Sequence, residues 1–158
     1  MKLSFSDLLT ILSGIPWPVT DQPPTEMITQ VVIDSREAGP GALFVALRGE
    51  HSDGHAFVGH AFSRGAAAAL VARPTETTAA TIDLRQPAAA QPLLAPGQPL
   101  LVVVEDPLHA LQQLAANWRS RFQPRVVAIT GSVGKTTTKE ITAAVLRQRF
   151  VTLKNRVL

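Results

Sequence analysis

The sequence predicts an α/β protein: a small N-terminal α/β domain, then the first strand, phosphate-binding loop and first helix of an incomplete parallel-sheet domain. Three observations predict it. Short β-prone runs alternate with helical patterns as far as Phe122. A glycine-flanked loop, Gly131-Ser132-Val133-Gly134-Lys135-Thr136, stands between an apolar run and a helical pattern. Only 23 residues follow Lys135, too few to add the parallel strands that would cover the first one on both sides.

Composition sets the limits. The 158 residues include no cysteine, 46% are hydrophobic and 17% charged, which is the make-up of a chain that buries a core. Disulfide scaffolds and cysteine-ligated metals are excluded. Fifteen Lys+Arg against 12 Asp+Glu leave a net charge of +3 with no basic block, so no nucleic-acid partner is expected. The longest apolar stretches, Ala66–Ala72 and Leu100–Val104, fall far short of the roughly 20 residues that span a bilayer. Leu8–Leu12 imitates a signal peptide, but Asp7 interrupts it, Pro16-Trp17-Pro18 closes it and no small-residue cleavage site follows. The expectation is a cytoplasmic protein without a membrane span.

Ser6 ahead of Leu8, Leu9, Ile11 and Leu12, with Gly14 as the stop, predicts a short amphipathic helix. Pro16, Pro18, Pro23 and Pro24 impose an extended connection. Val31–Ile33 and Leu43–Leu47 read as strands around the Gly39-Pro40-Gly41 turn. His55–Arg64 allows a helix with Phe57, Val58, Ala61 and Phe62 inward, ended by Gly65 and followed by an apolar run through Leu70-Val71. Phe44, Phe57 and Phe62 are expected in the core. Residues 74–99 hold five of the twelve prolines and no sustained period, and read as a long surface excursion. Leu100–Val104 resumes as a strand; Asp106-Pro107 opens a helix with the stripe Leu108, Leu111, Leu114, Ala115 and Trp118, ending near Phe122. Pro124 breaks the chain, and Val126–Ile129 reads as a buried strand leading into the loop and a helix over Lys135–Arg149. The expected division is 1–105, a connecting helix at 106–123, and a second domain from 124 to 158.

The loop has a chemical logic. Gly131 and Gly134 permit backbone torsions that expose consecutive N–H donors as an anion nest. Lys135 can reach the β- and γ-phosphates of a nucleotide, and the Thr136 hydroxyl suits Mg²⁺ bridging them. The helix N-terminus adds favourable potential. The spacing is G-x-x-G-K-T, shorter than G-x-x-x-x-G-K-[ST], since Ile129 stands where the longer pattern has its first glycine. The plainer alternative is a glycine-rich turn that caps a helix. Lys139 and Glu140 read as a solvated helix face.

With the loop in its strand and helix context, the sequence resembles the Mur ligases, the ATP-dependent amide-bond-forming enzymes of peptidoglycan synthesis. Val126 through Glu140 is similar to the family's ATP loop, and its Gly-Ser-x-Gly-Lys-Thr-Thr-x-Lys-Glu wording favours the member that adds D-alanyl-D-alanine to UDP-N-acetylmuramoyl-tripeptide. Upstream, Asp34-Ser35-Arg36, Pro40 through Gly49, and Asp53-Gly54-His55-x-Phe57 are similar to the domain that holds the UDP end of the substrate. The resemblance implies ATP at Gly131, Ser132, Val133, Gly134, Lys135, Thr136 and Thr137, with Lys135 catalytic and Mg²⁺ at Thr136. It also implies a UDP-sugar pocket at Ser35, Arg36, Asp53, Gly54 and His55, and transfer of the ATP γ-phosphoryl to the tripeptide carboxylate as an acyl phosphate that the dipeptide amine displaces.

Taken alone, Asp34-Ser35-Arg36 is equally an Asx- or Ser-type turn ending a strand. His51, Asp53 and His55 admit a metal site, although Gly54 spoils a helical arrangement and no second cluster supplies ligands. His60 and His109 read as ordinary surface or partly packed residues. The rest of the ATPase domain and an amine-receiving domain would follow in the family, so the expectation is a fragment or prematurely ended reading frame with little or no ligase turnover. Two alternatives stay open: the sister ligase that adds the third peptide residue, and a non-catalytic UDP-sugar-binding module.

Overall fold

The computed structural model describes residues 2–17, 27–50, 52–86 and 97–155 and divides into two compact units, Met1–Phe122 and Gln123–Leu158. Among the described residues no helix is long and apolar enough to cross a membrane. Pro18, Pro23, Pro24, His51 and the tail from Arg156 lie outside the described residues, as do residues 87–96 of the expected excursion.

In the first unit β1 (Leu3–Ser4) runs directly into α1 (Phe5–Ser13) and pairs antiparallel with β2 (Met27–Ile28). The cap of α1 is Ser4, not Ser6. Ser4 Oγ accepts the Asp7 N–H at 3.0 Å and the Asp7 carboxylate accepts the Ser4 N–H at 3.4 Å, a reciprocal box that satisfies two otherwise orphaned donors. Ser6 instead donates to the Trp17 carbonyl at 3.3 Å. Gly14 ends the helix at φ 70°, its N–H on the Thr10 carbonyl.

The centre of the unit is a parallel sheet of β3 (Gln30–Val32), β4 (Ala42–Val45), β5 (Ala68–Val71), β6 (Ala80–Asp83) and β7 (Leu100–Val103), in the order β3-β4-β5-β7-β6. β4, β5 and β7 are buried along their whole length because both faces are covered. Leu43, Val45, Leu70, Leu100 and Val102 face a cluster containing Leu8 and Leu9 of α1 and Leu114 of α3 (Pro107–Ser120). Phe44, Ala46, Val71, Leu101 and Val103 face the other cluster, with Val58 and Ala61 of α2 (Val58–Ser63). The alternation is the period of two that a strand imposes.

Four expectations change in this unit. Residues 74–99 contain β6, whose Ala80 and Ile82 pack inward while Thr81 is exposed; a four-residue edge strand starting on Ala-Thr carries too little pattern to stand out. The segment from His55 splits into a 3₁₀ turn, Gly54–Phe57, and the short α2. Three residues per turn in place of 3.6 carry Phe57 off the buried face, leaving it 44% exposed; Phe62 is half-buried and Phe44 buried. The α3 stripe is Pro107, Ala110 and Leu114 with Leu111 and Trp118 half-buried, whereas Leu108 and Ala115 are exposed. Asp106 sets this phase by accepting the Leu108 N–H at 2.8 Å and the His109 N–H at 3.3 Å. Finally, α3 packs against α1, β4 and β5, and belongs to the first unit.

The second unit is α4 (Lys135–Arg147) with the segments on either side of it. Val126–Ile129 is not a strand: among the described residues of this unit no strand lies beside it to receive its backbone hydrogen bonds, and Val126 and Val127 are 66% and 61% exposed. Ile141 and Val145 of α4 are each 60% exposed, Ala144 is exposed, and Ala143 is buried. Lys139 departs from the solvated-face expectation: its ammonium donates to the Asn155 carbonyl at 3.0 Å, and Lys154 pairs with Glu140, holding the segment after α4 against the helix.

Candidate functional site

Ser35 and Arg36 sit in a 3₁₀ turn, Ser35–Glu37, immediately after β3. Asp34 caps the turn by accepting the Arg36 N–H at 2.9 Å, so the Asx-turn reading describes the local geometry. The Arg36 guanidinium folds back on the same carboxylate, Nε to Oδ1 at 2.9 Å and Nη2 to Oδ2 at 2.6 Å, which holds Asp34 down at about 2. Asp83 and Arg85 at the end of β6 repeat this arrangement with distances of 2.9 and 2.7 Å. The fork thus recurs at a second strand end of this chain and is no ligand signature in itself. Ser35 is buried, and its hydroxyl lies 3.0 Å from Nδ1 of His60 on α2.

Asp53, Gly54 and His55 form the entrance to α2. Asp53 Oδ1 accepts the His55 N–H at 3.0 Å and lies 2.6 Å from His55 Nδ1, while Oδ2 takes Arg73 Nη2 at 2.6 Å. Arg73, foremost, with the two His55 contacts holds the Asp53 carboxyl well below the ordinary carboxylate range. The buried His55 ring accepts the Ala72 N–H through Nε2 at 2.8 Å, so Nε2 carries no proton and Nδ1 donates to Asp53. Both ring nitrogens are committed within the chain, which removes His55 as a metal ligand. Among the described residues no group of three or more His, Asp or Glu side chains could hold a metal ion. Gly54 makes its close approach to Leu47, not to open space: an added Cβ would lie 2.7 Å from the Leu47 carbonyl oxygen and 2.8 Å from its nitrogen.

The sequence reading takes His60 for an ordinary surface or partly packed residue and does not single out Arg73. They are separated from their partners by 25 and 20 residues, and no local period marks them. His60 links the two segments, because α2 continues from the Asp53 turn and its ring reaches Ser35. Arg64 adds a second tie between α2 and the Ser35 segment, Nε to the Ala38 carbonyl at 3.2 Å.

In the second unit the loop has the torsions that its glycines allow. Gly131 has φ 150° and Gly134 φ 80°, and no atom outside the immediate chain comes within 4 Å of a Cβ added to Gly134, so backbone conformation demands that glycine and crowding does not. Gly134 is the N-cap of α4 and supplies no side-chain acceptor, which leaves first-turn N–H groups open at the positive end of the helix. Lys135 folds its ammonium onto the Gly131 carbonyl across the loop. Ser132, Val133, Thr136 and Thr137 are exposed. Open N–H donors, a lysine and hydroxyls at a helix start are a donor set suited to polyphosphate oxygens and a hydrated divalent cation.

Comparison with known proteins agrees with the resemblance. The family model described as Mur ligase family, catalytic domain, matches residues 27–119. A Synechocystis protein named UDP-N-acetylmuramoyl-tripeptide--D-alanyl-D-alanine ligase is 42% identical over 147 residues, covering 93% of this chain and 29% of that protein. A crystal structure of MurF from Acinetobacter baumannii superposes with a TM-score of 0.68 at 31% identity, over 94% of this chain and 28% of that one. MurF ligase from Thermotoga maritima in complex with ADP gives 0.59 at 31% identity, over 77% and 24%. The chain thus spans less than a third of the length of the relatives it matches. With the family model covering more than half of its residues and the fold shared with solved members, the chain belongs to the Mur ligase family.

Proposed function

We propose that this chain carries the sugar-nucleotide-binding domain and the ATP loop of a cytoplasmic ligase that joins D-alanyl-D-alanine to UDP-N-acetylmuramoyl-tripeptide. The observation that carries the reading is the 42% identity, extending over 93% of the chain, to a protein named for that reaction. In the reaction the tripeptide carboxylate takes the ATP γ-phosphoryl to give an acyl phosphate and ADP; the dipeptide amine then displaces phosphate, forms the amide and loses a proton.

The roles of the residues follow from their chemistry. Amides at Gly131, Ser132, Val133 and Gly134 and at the start of α4 bind phosphate oxygens, with Thr137 beside them. Lys135, released from the Gly131 carbonyl, acts catalytically by offsetting charge on the transferring phosphoryl group. Thr136 would hold Mg²⁺, which supplies further neutralisation of the β- and γ-oxygens. Ser35 and Arg36 contact the uridine diphosphate, and Asp53, Gly54 and His55 bound the pocket, the last three mainly by holding the turn rigid.

Isothermal titration of the chain with UDP-N-acetylmuramoyl-tripeptide and separately with Mg-ATP tests the reading. Binding of both is expected. Sugar-nucleotide binding alone would favour a binding module, and binding of neither would sink both.

A further inference from the structure

We infer that His60 is a positioning residue of the sugar-nucleotide site, its Nδ1–H orienting the Ser35 hydroxyl so that the Ser35 proton is presented to a ligand diphosphate oxygen. The inference rests on the reading above that Ser35 lies at that pocket. A serine hydroxyl has one hydrogen and two lone pairs. Among the described residues Ser35 Oγ has His60 Nδ1 within hydrogen-bond reach, at 3.0 Å, and Ser35 is 6% exposed. Were Nδ1 the acceptor, the single hydrogen of Ser35 would be consumed by the ring, and only lone pairs would remain to face an anion. With Nδ1 as donor, the lone pair is satisfied by the ring and the hydrogen is free for the ligand. An anionic oxygen at Ser35 therefore selects the Nδ1–H form of His60.

The scaffold supports such a role. α2 is tied to the Ser35 segment at two points, His60 to Ser35 and Arg64 to Ala38, so the ring has a defined distance to the hydroxyl. His60 itself is exposed on the helix, and its replacement opens no cavity in the core. Ser35 by contrast is fixed from its own side by the Asp34-capped turn, which leaves the ring as the group that decides where the hydroxyl points.

The test is titration of UDP-N-acetylmuramoyl-tripeptide into the full chain and its His60→Phe, His60→Asn, Ser35→Ala and doubly substituted forms, with thermal unfolding of each as the folding control. His60→Phe is expected to weaken binding about tenfold, the scale of one hydrogen bond to a charged group. His60→Asn, whose amide N–H stands near the place of Nδ1–H, is expected to recover all but about threefold of that. In the Ser35→Ala background His60→Phe should change nothing further, since its effect passes through the hydroxyl. If the parent chain binds no sugar nucleotide, the site reading fails and takes this inference with it. If the parent binds and Ser35→Ala weakens it while His60→Phe does not, or if Asn is no better than Phe in equally stable chains, the site reading survives and the role of His60 is overturned.

Discussion

His55 receives the Ala72 amide hydrogen on Nε2 at 2.8 Å, and this one bond fixes the tautomer of a ring that also lies 2.6 Å from Asp53. The ring ties the turn before α2 to the residue that follows β5, a span of 17 residues. Arg73 pulls on the same aspartate from the next position. We expect His55→Ala to destabilise the first unit by about 1–3 kcal/mol, because the half-buried Ala72 N–H loses its acceptor. Gln, which reaches the place of Nε2, and Asn, which reaches that of Nδ1, should each restore part of the loss. Chemical denaturation measures the series, and imidazole nitrogen shifts in the parent should show an unprotonated Nε2; a protonated Nε2 would contradict the geometry.

Acid should loosen these turns in a defined order. Asp34 is held at about 2 against an ordinary 3.8, and Asp53 lower still, so each contributes stability that is present above the ordinary value and lost as pH falls through the folded one. The Asp34 contribution disappears between about pH 4 and 2, and that of Asp53 continues to lower pH. Asp34→Asn and Asp53→Asn should each flatten the acid limb of a stability-versus-pH curve. Because Arg36 is well exposed, added salt should shrink the Asp34 effect.

Two glycines of one segment predict opposite outcomes. Gly54→Ala drives a Cβ to 2.7 Å from the Leu47 oxygen and 2.9 Å from the Ala46 carbonyl carbon, backbone atoms that cannot swing aside, and should cost about 1–3 kcal/mol. Gly59 lies within α2 with nothing inside 4 Å of its Cβ position, so Gly59→Ala should stabilise by roughly 0.5–1 kcal/mol. Urea midpoints of the two variants provide the comparison, and equal effects would contradict it.

At the loop the expected injury is torsional. Gly134→Ala meets no neighbour, yet φ 80° costs an L-residue about 1–2 kcal/mol. Mg-ATP affinity should fall with it while the helix signal of α4 persists in circular dichroism. Lys135→Ala should reduce affinity for Mg-ATP without changing the unfolding midpoint, since among the described residues the lysine's hydrogen bond goes to the exposed Gly131 carbonyl.

The second unit leaves Val126, Val127, Ile141 and Val145 each at least 60% exposed. Such a surface should bind hydrophobic dye and drive self-association on size exclusion. Ile141→Glu with Val145→Glu should reduce both, leaving the first unit's unfolding unchanged; a clean monomer in the parent chain would go against this.

Much of the protein was legible in the order of its residues. Gly131 and Gly134 marked the loop because positive φ is a property of the single residue, and Asp106-Pro107 marked the start of α3 because a cap acts within three positions. Leu100–Val103 showed itself as a strand because a buried parallel strand is apolar throughout. Local chemistry misled where competing local solutions exist, as when Ser4 took the cap from Ser6, or where pairing depends on a distant neighbour, as for β6 beside β7 and for Val126–Ile129 without one. The partners of the candidate pocket were decided by tertiary structure alone. That His60 reaches Ser35 and that Arg73 clamps Asp53 depend on side chains brought together across 25 and 20 positions of sequence, distances over which no helical or strand period carries information, and that Gly54 abuts Leu47 depends on the backbone doubling back between them through the Arg48–Asp53 bridge.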